Sequence, residues 1–308
     1  MIDFAFCFSQ NESEKIINRF GLDFYKKVLL DLVYYADKWD LTAMQFIPSY
    51  SAKVVFKCQS KKYGDVVLKL GDPSLGEIVT EYYTLCQYHA RGFCRVIEAD
   101  IENGVILEAC IQPGTSLREE SSLGKRLSVF CHLYKGLHIS PSKSVVYPSY
   151  MQWLDRITNY MSKQKNCREL YLYMKKARNI YLSISTMYSE KALLHGDLHH
   201  DNILLGMDGE YIMIDPKGVI GDPVFDVPRF ILNEFDNEKD RKTYKKINYI
   251  IGVLVSELTI PDSIIRQCLY VETLMSACWC IEDGGDYSSV KKDIALAEAL
   301  LNSCALNL

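Results

Sequence analysis

The sequence lacks the features that mark two specialised classes of protein. It has no long hydrophobic stretch, since the apolar run from Tyr249 to Val255 has only seven residues and a membrane-spanning helix needs about 20. It also has no excess of basic residues: 35 Lys and Arg against 39 Asp and Glu give a net charge of −4. A protein that binds nucleic acid through a basic surface carries the opposite balance. We therefore expect neither a membrane nor a nucleic acid as a partner.

The sequence also lacks the marks of an exported protein. The first ten residues, MIDFAFCFSQ, contain Asp3 and no basic residue, unlike the positively charged start of a secretory signal peptide. The eleven cysteines include no C-x-x-C pair, and an odd number of scattered thiols is typical of a reducing compartment. We therefore predict a cytoplasmic protein. The spacing of Cys86, His89, Cys94 and Cys110 fits no common zinc finger, and we interpret these cysteines as buried thiols beside a helix.

The chain does contain an ordinary globular composition arranged in two parts. Its 308 residues are 48% hydrophobic and 24% charged. A chain of this length forms one large domain or two small ones. Pro113-Gly114 is the natural joint, and we predict an N-terminal nucleotide-binding lobe over residues 1–112 and a helical C-terminal lobe over residues 113–308. Periodicity and turn signals predict helices over the first 45 residues, strands at 53–58, 65–70, 95–100 and 105–110 around a helix at 76–89, and helices at 123–138, 150–161 and 168–188.

The most informative segment places three polar residues at a fixed spacing. His195, Asp197 and Asn202 have the H-x-D-x-x-x-x-N spacing of a kinase catalytic loop. Asp215 follows a predicted strand and turn, where kinases carry an acidic residue that binds Mg²⁺. Phosphoryl transfer needs a carboxylate near the attacking hydroxyl, and we assign this role to Asp197. Mg²⁺ prefers oxygen ligands, which Asn202 and Asp215 can supply, whereas His195 is expected to brace the loop.

A lysine within an apolar strand is the candidate anchor for the nucleotide. Lys69 lies in the run from Val66 to Leu70, where an unpaired lysine is costly. Either Glu77 or Glu81 of the following helix can pair with it, and we favour Glu81. In kinases a strand lysine held by a helix glutamate binds the α- and β-phosphates.

The remaining nucleotide contacts are less specific, because the chain has neither G-x-G-x-x-G nor a Walker A motif. The loop over the phosphates is expected at residues 48–53, with Ser49 and Ser51 as phosphate contacts. The backbone from Glu108 to Cys110 is expected to hydrogen-bond the purine at the end of a strand.

Several segments resemble the aminoglycoside phosphotransferases, and most of all their streptomycin and hydroxyurea kinase subgroup. They are HGDLHHDNILL at 195–205, IDPKGVIGDPVFDVPRF at 214–230 and ACWCIEDGG at 277–285. The resemblance implies an α+β, bilobal protein-kinase-like fold with a small strand-rich N-lobe and a larger, mainly helical C-lobe. It implies Mg²⁺ and either ATP or GTP as the phosphate donor. It makes Asp197 the catalytic base, Asn202 and Asp215 the Mg²⁺ ligands, and Lys69 the phosphate anchor.

Two further acidic residues match the family's G-D-P-x-x-D segment. We expect Asp222 and Asp226 to hold the backbone of the catalytic loop by hydrogen bonds. Asp201 departs from the family pattern, because relatives usually carry a small residue there, and it is expected to add a negative charge beside the metal site.

These observations predict an O-phosphotransferase that modifies a hydroxyl of a small molecule, an aminoglycoside such as streptomycin, as an antibiotic-resistance kinase. A cationic acceptor favours a pocket of carboxylates and aromatic rings. Residues 272–298 hold six acidic residues against two lysines, a net charge of −4. We predict Trp279, Glu282 and Asp283 as acceptor-binding residues, and the sequence predicts no oligomeric state.

Three other functions fit parts of the pattern. A housekeeping kinase for a sugar, an amino alcohol or another metabolite would use the same scaffold. A nucleotide-binding protein without turnover is disfavoured, because every catalytic position is present. A metallohydrolase would take its ligands from His195, Asp197, His199, His200 and Asp201.

Overall fold

Two groups of secondary-structure elements make up the fold. The computed structural model describes residues 6–48, 52–142, 146–188, 190–235 and 241–303. One compact unit is drawn from Met1–Gly114 and Leu205–Ile214, and the other from Thr115–Leu204 and Asp215–Leu308. In chain order the elements are α1 (Gln10–Phe20), α2 (Leu22–Lys38), β1 (Leu41–Ile47), β2 (Lys53–Ser60), β3 (Gly64–Gly71), α3 (Glu77–Tyr88), β4 (Val96–Asp100), β5 (Val105–Ala109), β6 (Pro113–Ser116), α4 (Leu123–Leu137), α5 (Tyr150–Ser162), α6 (Arg168–Met187), β7 (Ala192–Leu194), β8 (Ile203–Gly206), β9 (Tyr211–Met213), β10 (Val219–Gly221), α7 (Val227–Leu232), α8 (Arg241–Leu258), α9 (Asp262–Glu282) and α10 (Tyr287–Asn302).

The first unit is built on a five-stranded antiparallel sheet in the order β1-β2-β3-β5-β4. Val66, Leu68 and Leu70 of the central strand β3 are fully buried in one core with α1 and α2. Because successive side chains of a strand alternate between its faces, Lys69 belongs to the opposite face. There it lies across from Val55 of β2, and this register places the lysine in the middle of the sheet.

The prediction of helices throughout the first 45 residues is wrong at its end. Leu22–Lys38 is helical as α2, but Leu41–Ile47 forms the edge strand β1. Phe46 lies opposite Phe56 of β2, and the two rings are 5.5 Å apart. Packing against β2 therefore decides the conformation of this segment, and local sequence periodicity does not reveal that packing.

The second unit is organised around α9, a helix of 21 residues of which thirteen are buried. It packs against α5, α6, α7, α8 and α10. Glu272 is one of its buried residues, with only 3% of its surface exposed, and a buried carboxylate of this kind needs a partner.

A short two-stranded sheet in the second unit joins the two ends of the segment that contains the kinase-like motif. Strands β7 and β10 are antiparallel, and Leu194 lies opposite Val219. The sequence patterns did not indicate these two strands. Across the ranges that the structure describes, no helix combines the length and apolar character of a membrane span. The assignment of nucleotide binding to residues 1–112 and of catalysis to residues 113–308 stays a prediction.

Candidate active site

His195 leaves strand β7 with its ring buried in the protein. Its side chain is completely inaccessible, and its Nδ1 accepts a hydrogen bond from the backbone N–H of Asp197 at 3.2 Å. Its carbonyl oxygen accepts from the N–H of Lys217 at 2.7 Å. These contacts join the two ends of the loop, which is the bracing role expected of His195.

Asp226 holds the start of the same loop by hydrogen bonds to its backbone. Its two carboxylate oxygens accept the N–H groups of His195 and Gly196 at 3.0 and 2.8 Å, as expected. Gly196 has a φ of +77°, and a Cβ there would lie 3.0–3.2 Å from atoms of three neighbours. The loop therefore needs glycine at this position. The same expectation is wrong for Asp222, whose buried carboxylate pairs instead with Lys191, just before β7.

The carboxylate of Asp197 lies beside a cation that the sequence analysis did not identify. Its Oδ1 is 3.3 Å from Nη1 of Arg229 and 3.7 Å from Nε2 of His199. Burial acts to raise the pKa of Asp197, but the nearby charges of Arg229, His199 and Lys217 outweigh it and hold the pKa below its ordinary value. The predicted base is therefore ionised at neutral pH.

The two predicted metal ligands have donor atoms that suit Mg²⁺. Asn202 Nδ2 donates to the carbonyl oxygen of Asp197 at 2.9 Å, which ties this amide to the catalytic loop. Asp215 has a φ of +57°, a left-handed conformation that costs about 1–3 kcal/mol and is enriched at functional sites. An amide and a carboxylate oxygen are hard ligands, so the donor set fits the predicted ion.

The histidines of the loop are not arranged as transition-metal ligands. The His200 ring stacks on Phe230 with centroids 4.3 Å apart, and its Nε2 lies 2.7 Å from Oε2 of the buried Glu234. Nδ1 of His195 is engaged by the loop backbone. Within the described parts of the chain, no group of three or more His, Cys, Asp or Glu residues could hold a metal ion. The geometry thus disfavours the metallohydrolase.

The unusual charge at Asp201 is neutralised within the second unit. Nε and Nη2 of Arg118 each lie 2.6 Å from a carboxylate oxygen of Asp201, forming a bidentate pair. These hydrogen bonds lower the pKa of Asp201. The added negative charge that the sequence suggested beside the metal site is therefore balanced by a guanidinium.

The candidate nucleotide anchor in the first unit is part of a buried network of four charges. Nζ of Lys69 lies 2.6 Å from Oε1 of Glu81 and 2.9 Å from Oε2 of Glu108. The other oxygen of Glu81 pairs with Lys53. Each of the four residues has at most 8% of its surface exposed. Glu81 is thus the expected partner of Lys69, whereas the sequence analysis did not identify Lys53 or the charge of Glu108 as members of this site.

The predicted purine contacts are partly used within the first unit. The N–H of Cys110 donates to the carbonyl oxygen of Asp65 at 3.1 Å, and the N–H of Ala109 donates to that of Arg95 at 2.9 Å. Purine binding by Glu108 and Cys110 stays a prediction. Ser49 and Ser51 lie outside the described residues.

The predicted acceptor residues on α9 already have cationic partners in the protein. The guanidinium of Arg229 lies 5.3 Å from the centre of the Trp279 ring. Glu282 forms a bidentate pair with Arg156 of α5, at 2.6 and 2.9 Å. Asp283 is exposed just beyond α9. The spacing of charges along one helix could not indicate these partners, because they come from other elements.

Trp153 of α5 lies between Trp279 and the catalytic loop. The rings of Trp153 and Trp279 are perpendicular, with centroids 6.3 Å apart. A Cβ placed on Gly196 would lie 3.1 Å from the Trp153 ring. Trp279 and the residue that precedes Asp197 are therefore connected through Trp153.

The chain is similar in sequence to several kinases of small molecules. The chain is 22% identical to streptomycin 6-kinase of Streptomyces griseus over 271 residues, 86% of each protein. It is 33% identical to streptomycin 3''-kinase of Klebsiella pneumoniae and 28% identical to hydroxyurea phosphotransferase of Kitasatospora aureofaciens. These two matches cover only 35% and 30% of the lengths of those enzymes.

Solved structures establish the fold. Choline kinase LicA from Streptococcus pneumoniae superposes with a TM-score of 0.66, covering 90% of this chain and 99% of that one at 12% identity. Aminoglycoside phosphotransferase APH(4)-Ia, in its complex with ADP and hygromycin B, superposes with a TM-score of 0.62 at 12% identity, covering 89% and 98%. The fold is therefore the bilobal, protein-kinase-like one. A family model described as aminoglycoside/hydroxyurea antibiotic resistance kinase matches residues 38–284, and the chain belongs to that family.

Proposed function

We propose that this protein transfers the γ-phosphate of ATP to a hydroxyl group of a small molecule. The observation that carries the proposal is Asp197, an ionised carboxylate held in a kinase-type loop by His195 and Asp226. The acceptor oxygen forms a bond to the γ-phosphorus, the bond from that phosphorus to the leaving oxygen of ADP breaks, and the hydroxyl proton passes to Asp197.

The other residues of the site would bind and orient the donor. Asn202 and Asp215 would hold Mg²⁺, which when bound neutralises charge on the phosphates. Lys69, kept in place by Glu81 and Glu108, would bind the α- and β-phosphates. ADP and AMP occur in the complexes of two proteins with this fold, and this supports an adenine nucleotide as the donor.

The acceptor that we propose is an aminoglycoside of the streptomycin type. The streptomycin 6-kinases of two Streptomyces species align with at least 80% of this chain, and Trp153 and Trp279 offer an aromatic surface near the catalytic loop.

One observation favours a second candidate, a neutral acceptor such as a sugar or hydroxyurea. Arg229 already occupies a position over Trp279, and Arg156 already neutralises Glu282. A cationic ligand would have to compete with these two guanidinium groups, whereas a neutral ligand would not.

A phosphate-transfer screen tests both candidates. The purified chain is incubated with ATP or GTP and with a panel of aminoglycosides, aminocyclitols, macrolides, hydroxyurea, sugars and amino alcohols. We expect ATP-dependent phosphorylation of streptomycin, detected by mass spectrometry, and its absence with Asp197→Asn. Transfer to a sugar or hydroxyurea alone would select the second candidate, and nucleotide binding without transfer to any member would contradict both.

A further inference from the structure

Arg229 approaches the catalytic loop from the same short segment as Asp226. The two residues are three positions apart. Asp226 binds the backbone of His195 and Gly196, and Arg229 contacts the side chain of Asp197, with Nη1 3.3 Å from Oδ1. One segment thus holds both the backbone of the loop and the side chain of its candidate base.

Arg229 is itself fixed from behind by a buried carboxylate. Its Nε lies 2.5 Å from Oε1 of Glu272, and the other oxygen of Glu272 accepts a hydrogen bond from the hydroxyl of Tyr150 at 2.5 Å. Tyr150 and Glu272 are 2% and 3% exposed. Because a guanidinium is a rigid planar fork, contacts on two of its nitrogens define its orientation. The Trp279 ring covers a third side of the group.

The contact with Arg229 distinguishes the two oxygens of Asp197. Oδ1 is buried and accepts no hydrogen bond from the described residues, so its contacts with Arg229 and His199 are those of an ion pair. No described residue donates a hydrogen bond to Oδ2, and about a fifth of the side chain is exposed. An incoming hydroxyl would therefore meet Oδ2.

We propose that Arg229 is a positioning residue, which holds Oδ1 of Asp197 so that Oδ2 receives the proton of the acceptor hydroxyl. Glu272 and Tyr150 complete this device by fixing the guanidinium. The inference rests on the proposed function, because it takes Asp197 as the base. It assigns Arg229 no contact with substrate.

Three substitutions separate this role from a general effect on folding. Arg229→Met removes the charge and the fork, Arg229→Lys keeps the charge alone, and Tyr150→Phe removes only the hydroxyl that holds Glu272. Arg178→Met is the control for loss of an arginine charge, since Arg178 forms a more exposed pair with Asp155 in the same unit, at 2.7 Å. For each variant we measure kcat, KM for ATP, KM for the acceptor found in the screen, and Tm.

We expect Arg229→Met to lower kcat about 10²-fold, the size of effect that a displacement of about 1 Å can produce. KM for ATP should stay near the wild-type value, because the contact acts on the acceptor side. Arg229→Lys should recover part of the loss, Tyr150→Phe should cost less than either, and Arg178→Met should leave kcat unchanged. A kcat for Arg229→Met that matches the wild type, or a change in KM alone, would overturn the proposal.

A double-mutant cycle with Asp197→Asn gives the decisive comparison. If Arg229 acts through Asp197, adding Arg229→Lys to Asp197→Asn should cause little further loss of kcat, because residues that act as a unit are strongly non-additive. Equal losses in the two backgrounds would show that Arg229 acts elsewhere. Arg229→Lys decides the question if Arg229→Met does not fold.

The failure of the proposed function would look different. If no acceptor is found, the same cycle is run on hydrolysis of ATP, with water in place of the acceptor hydroxyl. A wild-type protein that neither transfers phosphate nor hydrolyses ATP would overturn the proposed function and this inference with it. A wild-type protein that is active, with an additive cycle, would overturn the inference alone.

Discussion

The two units of this protein each contain a charge network, which is buried in the first unit and partly exposed in the second, and the networks differ in the kind of cation. In the first unit, two lysines alternate with two glutamates around Lys69 and Glu81. In the second, a single arginine lies between two carboxylates, Asp197 and Glu272. A lysine is a compact point charge on a flexible stem, whereas the arginine fork fixes geometry. The difference fits the two tasks that we propose for these networks: binding of phosphate by cations, and a catalytic carboxylate that must keep its charge and orientation.

The largest expected effect comes from removing the carboxylate of the second network. Asp197→Asn should lower kcat about 10²–10⁴-fold, the usual contribution of a general acid or base. Binding of ATP, measured by calorimetry, should be retained, because Asp197 serves the acceptor. Asp201→Asn is the matched control in the same loop, since that carboxylate pairs with Arg118. Normal turnover in Asp197→Asn would show that the second unit uses another base.

The next effect tests the predicted metal ligand. Asp215→Ala removes one of two oxygen donors, so the affinity for Mg²⁺–ATP should fall by more than the roughly 10–100-fold that loss of an outer-shell partner costs. Turnover should fail with it. Asp208→Ala, an exposed turn residue, controls for loss of a surface carboxylate. Unchanged affinity in calorimetric titrations with and without Mg²⁺ would remove Asp215 from the site.

A smaller effect is expected from the lysine network of the first unit. Lys69→Met removes the charged contact to phosphate that we propose. Hydrogen bonds to charged groups contribute about 1.5–3 kcal/mol, so we expect about a 10–150-fold weaker affinity for ATP. Acceptor binding should not change. Lys57→Met, on the same face of β2 as Lys53, is the control. Equal affinities of wild type and Lys69→Met would show that the network is structural.

Substitutions in the two networks should also differ in how much they lower the Tm of the protein. Breaking a buried ion pair by deleting one partner costs about 3–5 kcal/mol, and Lys69 contacts both Glu81 and Glu108. Tm should therefore be recorded for each variant, and affinities should be measured well below the lowest value. Asp197→Asn should lower Tm less, because the side chain of Asp197 is partly exposed and Arg229 keeps Glu272 as a partner.

Sequence reasoning identified the family and the fold class from a segment that is continuous in the chain. His195, Asp197 and Asn202 lie within eight residues, and their spacing fixes local backbone geometry. The fold class and the family, both confirmed by the comparisons, depend largely on this segment. The partner of Lys69 could also be predicted, because Glu81 lies on the helix that follows the strand.

Sequence reasoning failed where the contacts join distant elements. Arg229 and Glu272 are 43 positions apart, and only the packing of α7 against α9 brings them together. Lys53 was interpreted as the end of a loop, but the sheet register places it on the face of Lys69. One signal in the sequence could have indicated Arg229. It lies three residues after Asp226, and both residues contact the catalytic loop. Edge strand β1 likewise depends on its partner β2.

The smallest expected effect concerns the predicted acceptor residues, and it sharpens the comparison at the surface of the second unit. Glu282 belongs to an exposed pair with Arg156, and exposed pairs contribute about 0.2–1 kcal/mol, so Glu282→Ala should leave Tm nearly unchanged. If a cationic acceptor displaces Arg156, Glu282→Ala and Asp283→Ala should each raise its KM, by up to about fivefold on the same scale. The increase should be larger at low salt, because exposed charges are screened at high ionic strength. KM for ATP should not change.

Asp155→Ala, which breaks the neighbouring exposed pair with Arg178, is the control. A neutral acceptor would respond to neither substitution, and its KM would be independent of salt. Unchanged kinetics for a cationic acceptor would instead mean that Glu282 and Trp279 have a structural role, as partners of Arg156 and Arg229. The acceptor would then contact α5 near Trp153.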